Sequence, residues 1–301
     1  MQEYVTAGGR SRHARLRLMG YYVQRAVTSR RVRRLAARIA VAVLAALHGR
    51  PARACGATPG LDALRADGVA RLGRLLSARQ CAEALDWLRG RHMRATRGDG
   101  RAFRLDAAPP GTPFGDFPLD TVVHCPHVLA LANHPDVLRL AADYLGYTPT
   151  ITLMGLRWSF PAAAPDGVQA FHRDAEPGSI KLLVYLTDVD EHAGPHHYVA
   201  GSHRARMPLR LRRHTDAEVA RDHGGAVLVT GPAGSACMID TRGIHKGAPP
   251  ARRPRLLLVV QYSLLPCLLY DYAPVHWRGD GHVDPYVNRL VVAPRPPLSA
   301  W

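Results

Sequence analysis

His172 and Asp174, in the string Phe171-His172-Arg173-Asp174, are a pair whose types and spacing suggest chemistry. On a strand or its frayed end, residues i and i+2 project to one side, so an imidazole nitrogen and a carboxylate oxygen can reach one metal ion. His245, in Gly243-Ile244-His245-Lys246-Gly247, offers a third donor 73 residues downstream. Two histidines and one carboxylate on one face of an octahedron leave three positions open, which suits non-haem Fe(II) oxygen chemistry. With 16 histidines in the chain, a bare His-x-Asp is weak on its own. His196, His197 and His203, near Asp188 and Asp190, form a second cluster. They read as turn and strand residues, because no companion pattern supports a second metal.

Arg255 gives the first cluster its companion. It lies ten residues after His245 and opens the run Arg255–Leu264, apolar on both faces as in a buried strand. A lone guanidinium entering such a strand needs an anionic partner. The distal carboxylate of 2-oxoglutarate would supply one through a bidentate pair. A protein acid at the strand end is the other reading, and Arg252 and Arg253 in the preceding loop are rival anchors. Lys181, Tyr185 and Thr241 lie on segments near the ligands and are candidates for further cosubstrate contacts. Strand parity alone leaves their direction open.

The elements that must position these residues are short strands: Thr150–Phe160, Ile180–Thr187, His197–Ala200, Ala226–Thr230, Ser235–Asp240, Ile244–Lys246 and Arg255–Leu264. Their spacing, punctuated by Gly194-Pro195, Gly201-Ser202 and Gly231-Pro232, suggests a sandwich or barrel. Upstream, Leu61–Arg89 reads as helix, turn, helix, with Ser77 as N-cap of the second. Residues 98–118, rich in Gly and Pro, read as a loop, and Pro135–Leu145 as a helix closed by Gly146. Helices first and strands afterwards imply a mainly β fold with flanking α, the helices buttressing one sheet.

The 301 residues are 47% apolar, enough for one substantial core with an appended segment. The formal charge of +16 would ordinarily prompt a nucleic-acid reading. Its distribution argues otherwise: residues 1–55 hold twelve arginines against Glu3, so +11 sits in an arm and +5 in the rest. In that arm Met19, Tyr22, Val23, Ala26 and Val27, then Val32, Leu35, Ile39, Val43 and Leu47, recur at helical spacing, with Arg31, Arg34 and Arg38 on another face. The preferred reading is a basic helical extension over residues 1–58, packed on an oxygenase domain of residues 59–301 or partly disordered. A membrane- or nucleic-acid-binding arm is the second reading. The third is export: Ser29-Arg30-Arg31, the run Ile39–Leu47 and Ala52-Arg53-Ala54 imitate a twin-arginine signal with a cleavage site. Five scattered cysteines without a Cys-x-x-Cys pair suit reduced thiols, and a cytoplasmic location is expected. No apolar run reaches the roughly 18 residues needed to span a bilayer.

The string FHRDAEPGSIKLLVYLTDVDEHAGPHHYVAGSHR, with GSACMIDTRGIHKG and RPRLLLVVQYS, resembles the phytanoyl-CoA dioxygenase-like family of Fe(II)- and 2-oxoglutarate-dependent oxygenases. The likeness extends upstream through ADGVARLGRLLSARQ and Pro135–Ser159, covering about residues 61–265. It implies a double-stranded β-helix (jelly-roll, cupin-like) core at about 150–265. It also implies His172, Asp174 and His245 as iron ligands and Arg255 as the 2-oxoglutarate anchor. The implied reaction consumes dioxygen and 2-oxoglutarate, forms succinate and carbon dioxide, and hydroxylates an unactivated C–H bond of a small-molecule or acyl substrate. Ala200 stands where Pro commonly precedes Gly-Ser-His, and Ala193 where Asn commonly precedes Gly; both lie in turns remote from the ligands. Asp174 is present, whereas relatives that halogenate lack this carboxylate, so hydroxylation or another oxygen-driven oxidation is expected.

The primary substrate is not legible. Arg204, Arg206, Arg210, Arg212, Arg213 and Arg221 form a basic stretch that reads either as a receptor for an anionic substrate or as a solvated loop. Two other function classes stay open. One is a non-catalytic binding module that docks through its basic arm. The other is a cupin-like Zn(II) or Mn(II) site without 2-oxoglutarate, for which Arg255 is the discriminating residue.

Overall fold

The computed structural model describes residues 3–4, 14–49, 56–95, 100–161, 167–205, 211–279, 281 and 283–293. In chain order the strands are β1 (Glu3–Tyr4), β2 (Val69–Arg74), β3 (Met93–Ala95), β4 (Ala102–Phe103), β5 (Phe114–Asp116), β6 (Thr150–Ser159), β7 (Ser179–Tyr185), β8 (His196–Tyr198), β9 (Val227–Val229), β10 (Ser235–Ile239), β11 (His245–Gly247), β12 (Arg255–Ser263) and β13 (Tyr270–Asp271). The helices are α1 (Ala14–Ala26), α2 (Arg30–His48), α3 (Leu61–Asp67), α4 (Ala78–Leu88), α5 (Leu119–His124), α6 (Val128–Ala132), α7 (Pro135–Leu145), α8 (Asp216–His223) and α9 (Pro285–Asn288).

A large antiparallel sheet runs β2-β10-β7-β12-β6-β5-β3-β4, and a small one runs β11-β8-β9. The alternation of side chains along each strand divides the core. Ile180, Leu182 and Val184 of β7, and Leu256, Leu258 and Val260 of β12, join the cluster that packs under helices α3 to α7. Leu183, Tyr185, Cys237, Ile239 and Leu257 face the other way, onto Tyr198 and Val229 of the small sheet. The central strands are therefore covered on both faces, which is why they read as continuous apolar runs. The expected double-stranded β-helix with buttressing helices is the fold observed.

Local signals set several boundaries. Ser77 accepts from the Gln80 amide while the Gln80 side chain accepts from the Ser77 amide, a reciprocal cap that starts α4. Pro135 begins α7 and Gly146, at φ 87°, ends it. Two expectations are corrected. Between the two predicted helices of 61–89 lies β2, antiparallel to β10. It is an edge strand of the large sheet, and its Arg71, Gly73 and Arg74 hide the alternation. Within the predicted loop 98–118, β4 and β5 carry the large sheet beyond β6. Gly115 makes this crossing feasible, since a Cβ there would collide with Met93 and Phe103.

The arm forms two helices over residues 14–48, held to the core by polar groups and small residues. Arg33, only 7% exposed, donates to the carbonyls of Gln24 and Val27 at the end of α1 and to Ala175 of the core. Gln24 donates to the same Ala175 carbonyl at 3.1 Å. Arg17 reaches the carbonyl of Tyr270, and Leu44 packs with Tyr147 and Leu264. The cleavage-like Ala52-Arg53-Ala54 lies outside the described residues. Among the described residues no helix is long and apolar enough to cross a membrane.

Candidate metal centre and anion pocket

The backbone brings the two distant histidines together. His172 and His245 form an antiparallel bridge, exchanging N–H···O bonds of 2.9 and 3.0 Å, so their side chains leave on the same side. Their ring centroids are 4.4 Å apart. The Asp174 amide donates to the Thr241 carbonyl at 2.9 Å, which fixes the third group. One donor atom from each of His172, Asp174 and His245 lies within 4.8 Å of the others.

The rings are oriented by their outer nitrogens. His172 Nδ1 lies 2.8 Å from the Ala170 carbonyl, and His245 Nδ1 lies 3.0 Å from the Gly243 carbonyl. A carbonyl only accepts, so each Nδ1 carries the hydrogen and each Nε2 presents a lone pair. His172 Nε2 stands 3.5 Å from Asp174 Oδ1. A lone pair facing a carboxylate oxygen is a donor set that a cation completes, and the group fits a divalent metal. Gly243 is needed for the approach, since a Cβ there would overlap the Tyr198 hydroxyl.

Electrostatics keep His245 and Asp174 in their metal-binding protonation states. Burial, reinforced by the neighbouring His172, lowers the His245 pKa to about 3, so its ring stays neutral. Burial alone would raise the Asp174 carboxyl. The Lys181 ammonium, 2.7 Å from Oδ2, and the two histidines outweigh it and hold the carboxyl well below its usual range.

Arg255 lies behind this centre, at the inner face of β12, and is 3% exposed. Its Nη2 donates to Ser159 Oγ at 3.1 Å, but Nε and Nη1 have no partner. Among the described residues no carboxylate pairs with it, so the protein-acid reading of Arg255 is not what the structure contains. Burial lowers its pKa, and the lack of an anion leaves that cost uncompensated. Gly247 lies against the guanidinium, where a Cβ would come within 3.4 Å of Nη2.

The remaining predicted residues divide. Thr241 is fully buried, and its Oγ1 has no partner. Lys181 faces the centre, but as the ion-pair partner of Asp174. Tyr185 faces inward too, yet its hydroxyl donates to the Val229 carbonyl and accepts from the His196 amide, both at 2.8 Å. It stitches the two sheets together through that hydroxyl. His196, read from sequence as one of a group of turn and strand residues, is 6% exposed with an unpartnered Nε2. Its ring lies 5.5 Å from that of His245, and burial, then His245 and Arg255, lower its pKa strongly. No local motif distinguishes His196 from its fifteen fellow histidines; only the pairing of β8 with β11 puts it here.

A cavity of about 290 Å³ opens from the centre, lined by His172, Asp174 and Lys181 together with Arg212, Arg213, and Tyr21 and Arg25 of α1. Of the basic stretch, Arg212 pairs with Glu218 and Arg221 with Asp222, while Arg206 and Arg210 lie outside the described residues.

A family model for phytanoyl-CoA dioxygenase (PhyH) matches residues 64–253. No curated protein matches the sequence significantly. Among solved structures, HygX from Streptomyces hygroscopicus with nickel and 2-oxoglutarate bound is similar at a TM-score of 0.52 and 16% identity, covering 76% of this chain and 97% of that one. The same protein with hygromycin B also bound gives 0.51 and 18%, with the same coverage. AviO1 from Streptomyces viridochromogenes gives 0.47 and 18%, covering 70% of this chain and 96% of that one. At these identities the likeness to HygX is one of fold.

Proposed function

We propose that this chain, which belongs to the phytanoyl-CoA dioxygenase family, hydroxylates an unactivated C–H bond of a small-molecule or acyl substrate, with His172, Asp174 and His245 holding Fe(II) and Arg255 holding 2-oxoglutarate. It is an enzyme of the Fe(II)/2-oxoglutarate oxygenase superfamily. The observation that carries the reading is the pairing of a three-donor centre with a buried guanidinium on the same inner face whose Nε and Nη1 have no partner. A Zn(II) or Mn(II) site without cosubstrate would leave that guanidinium unexplained. The domain division is proposed as read: residues 59–301 form the oxygenase and 1–58 an extension.

Iron held by His172, Asp174 and His245 would, with 2-oxoglutarate and dioxygen, supply the oxidising chemistry that inserts one oxygen atom into the C–H bond, with succinate and carbon dioxide as the other products. The chain's own residues bind, orient and exclude water. A neutral His245 and an ionised Asp174 are ready to ligate at neutral pH without first losing protons. Lys181 offsets part of the Asp174 charge and fixes which carboxylate oxygen remains for metal. Arg255 Nε and Nη1 would grip the distal carboxylate of 2-oxoglutarate as charge-assisted bonds in a dry pocket. His196 Nε2 and Thr241 Oγ1 are further groups available to the cosubstrate. The cavity beneath α1 is the space in which the substrate would present its carbon.

Anaerobic titration with Fe(II) and 2-oxoglutarate is expected to develop a visible metal-to-ligand charge-transfer band. His172→Ala should abolish it. Arg255→Ala should weaken 2-oxoglutarate affinity about a hundredfold, typical for truncating one partner of a buried charge pair. Iron bound without any band would overturn the cosubstrate assignment. Tyr185→Phe should leave the affinity within about twofold, since that hydroxyl serves the sheets.

A further inference from the structure

The apolar stripe of the arm points away from the protein. On α1, Leu16, Met19, Tyr22 and Val23 are 59–64% exposed, and on α2, Val32, Leu35, Ile39, Val43 and Leu47 are 50–70% exposed. The inner contacts of both helices are made instead by Tyr21, Gln24, Arg33 and Leu44. Nine large apolar residues exposed on two successive helices exceed the scattered single exposures of an ordinary surface. The charge around them has one sign, with no Asp or Glu between Glu3 and Asp62. Arg31, Arg34 and Arg38 run along one flank of the α2 stripe, exposed, and no carboxylate among the described residues pairs with them.

A second feature adjoins this face. The first turn of α2 carries Arg30, Arg31, Arg33 and Arg34 and no acid, although a helix N-terminus disfavours cations. These arginines, with Arg204 and Arg242, line a cavity of about 770 Å³. Arg30 is depressed by burial and then by the like charges of Arg242, Arg34 and Arg33, only partly offset by Asp240. Arg242 is ion-paired with Asp240 and Arg33 is engaged by backbone carbonyls, so Arg31 and Arg34, with which no carboxylate among the described residues pairs, are the cavity groups open to an anion, beside the helix N-terminus.

We propose that the outer face of α1 and α2 docks on an anionic phospholipid surface, the stripe entering the headgroup–acyl boundary and the arginine cavity receiving headgroup phosphate. A second copy of this chain fits poorly, because it would bring its own Arg31, Arg34 and Arg38 against these. Nucleic acid would use the arginines and leave the apolar stripe in water. Neither helix can span a bilayer, so the helices lie on it. Because Tyr21 and Arg25 of α1 line the cavity at the metal centre, docking sets the substrate entrance beside the membrane.

Full-length protein is expected to sediment with phosphatidylglycerol-containing vesicles and to remain in solution with pure phosphatidylcholine. The double variant Arg31→Gln/Arg34→Gln should weaken partitioning by more than about tenfold, given the attraction of each arginine to an anionic surface. Leu35→Gln/Ile39→Gln should weaken it about as much through lost apolar insertion. Both pairs are exposed, so circular dichroism should show unchanged helix content. Failure of the wild type to bind anionic vesicles overturns the proposal, as does equal binding to both vesicle types. Sensitivity to the arginine pair alone would make the face an anion site without membrane insertion. A dimer in solution that dissociates on Ile39→Gln would assign the stripe to a second copy instead.

Discussion

In β7 and β12, Leu182, Val184, Leu256 and Leu258 are completely buried; in α2, Val32, Leu35, Ile39 and Val43 are half exposed or more. Both regions carry periodic runs of the same aliphatic side chains. The strands are covered because the fold supplies a layer on each face, helices on one side and the small sheet on the other. Helix α2 is held from the opposite side by a buried arginine and a few small residues, and nothing among the described residues covers its stripe. Periodicity thus identifies the element and its apolar face, while the direction of that face depends on what else the chain can place against it.

That contrast is open to attack by mutation. Leu182→Ala should lower unfolding free energy by about 2–5 kcal/mol, the range for emptying a packed site, whereas Leu35→Ala should change it by less than about 0.5 kcal/mol. Urea titration followed by circular dichroism decides; equal losses would mean that α2 buries its stripe in solution.

A second, intermediate effect comes from pH. His245 has a folded pKa of about 3 against 6.5 unfolded, so between these values the unfolded chain binds the proton that the folded one refuses. Stability is therefore full above about pH 6.5 and is lost as pH falls toward 3. From neutral pH to pH 5 the metal-free protein should lose about 2 kcal/mol from this group. His196, depressed in the same direction, adds to the loss. The arm contributes no comparable histidine, so deleting its residues should leave the slope unchanged; a slope that disappears with the arm would refute the assignment to the sandwich interior.

The smallest expected effects are at the caps. Ser77→Ala removes the reciprocal cap of a helix packed on the core and should cost about 1 kcal/mol of global stability. Ser29 accepts from Val32 at a long 3.5 Å at the start of a peripheral helix. Ser29→Ala should appear only as faster amide exchange within α2, without a shift of the urea midpoint.

The candidate site was legible in unequal parts. His172 and Asp174 are adjacent on one segment, so a two-residue period sufficed to pair them. His245 and Arg255 were reachable through their strand context and through the family likeness. His196 was not, because a histidine on a three-residue strand carries no local mark, and its burial beside His245 arises from the β8–β11 register. Tyr185 shows the converse: it faces inward, but only the fold shows that the Val229 carbonyl of a nearby strand takes its hydroxyl hydrogen. The edge strand β2 was missed because a strand with one neighbour tolerates arginine and glycine.

By itself the sequence determined the periods, the caps, the ligand pair and the location of the excess charge, since these are properties of neighbouring residues. Tertiary structure decided which way each face turns, which polar atoms find partners and which are left without. Those outcomes depend on residues tens to hundreds of positions apart. Arg255 shows the division best: its type and strand were readable, but only the fold shows a buried guanidinium with two idle nitrogens.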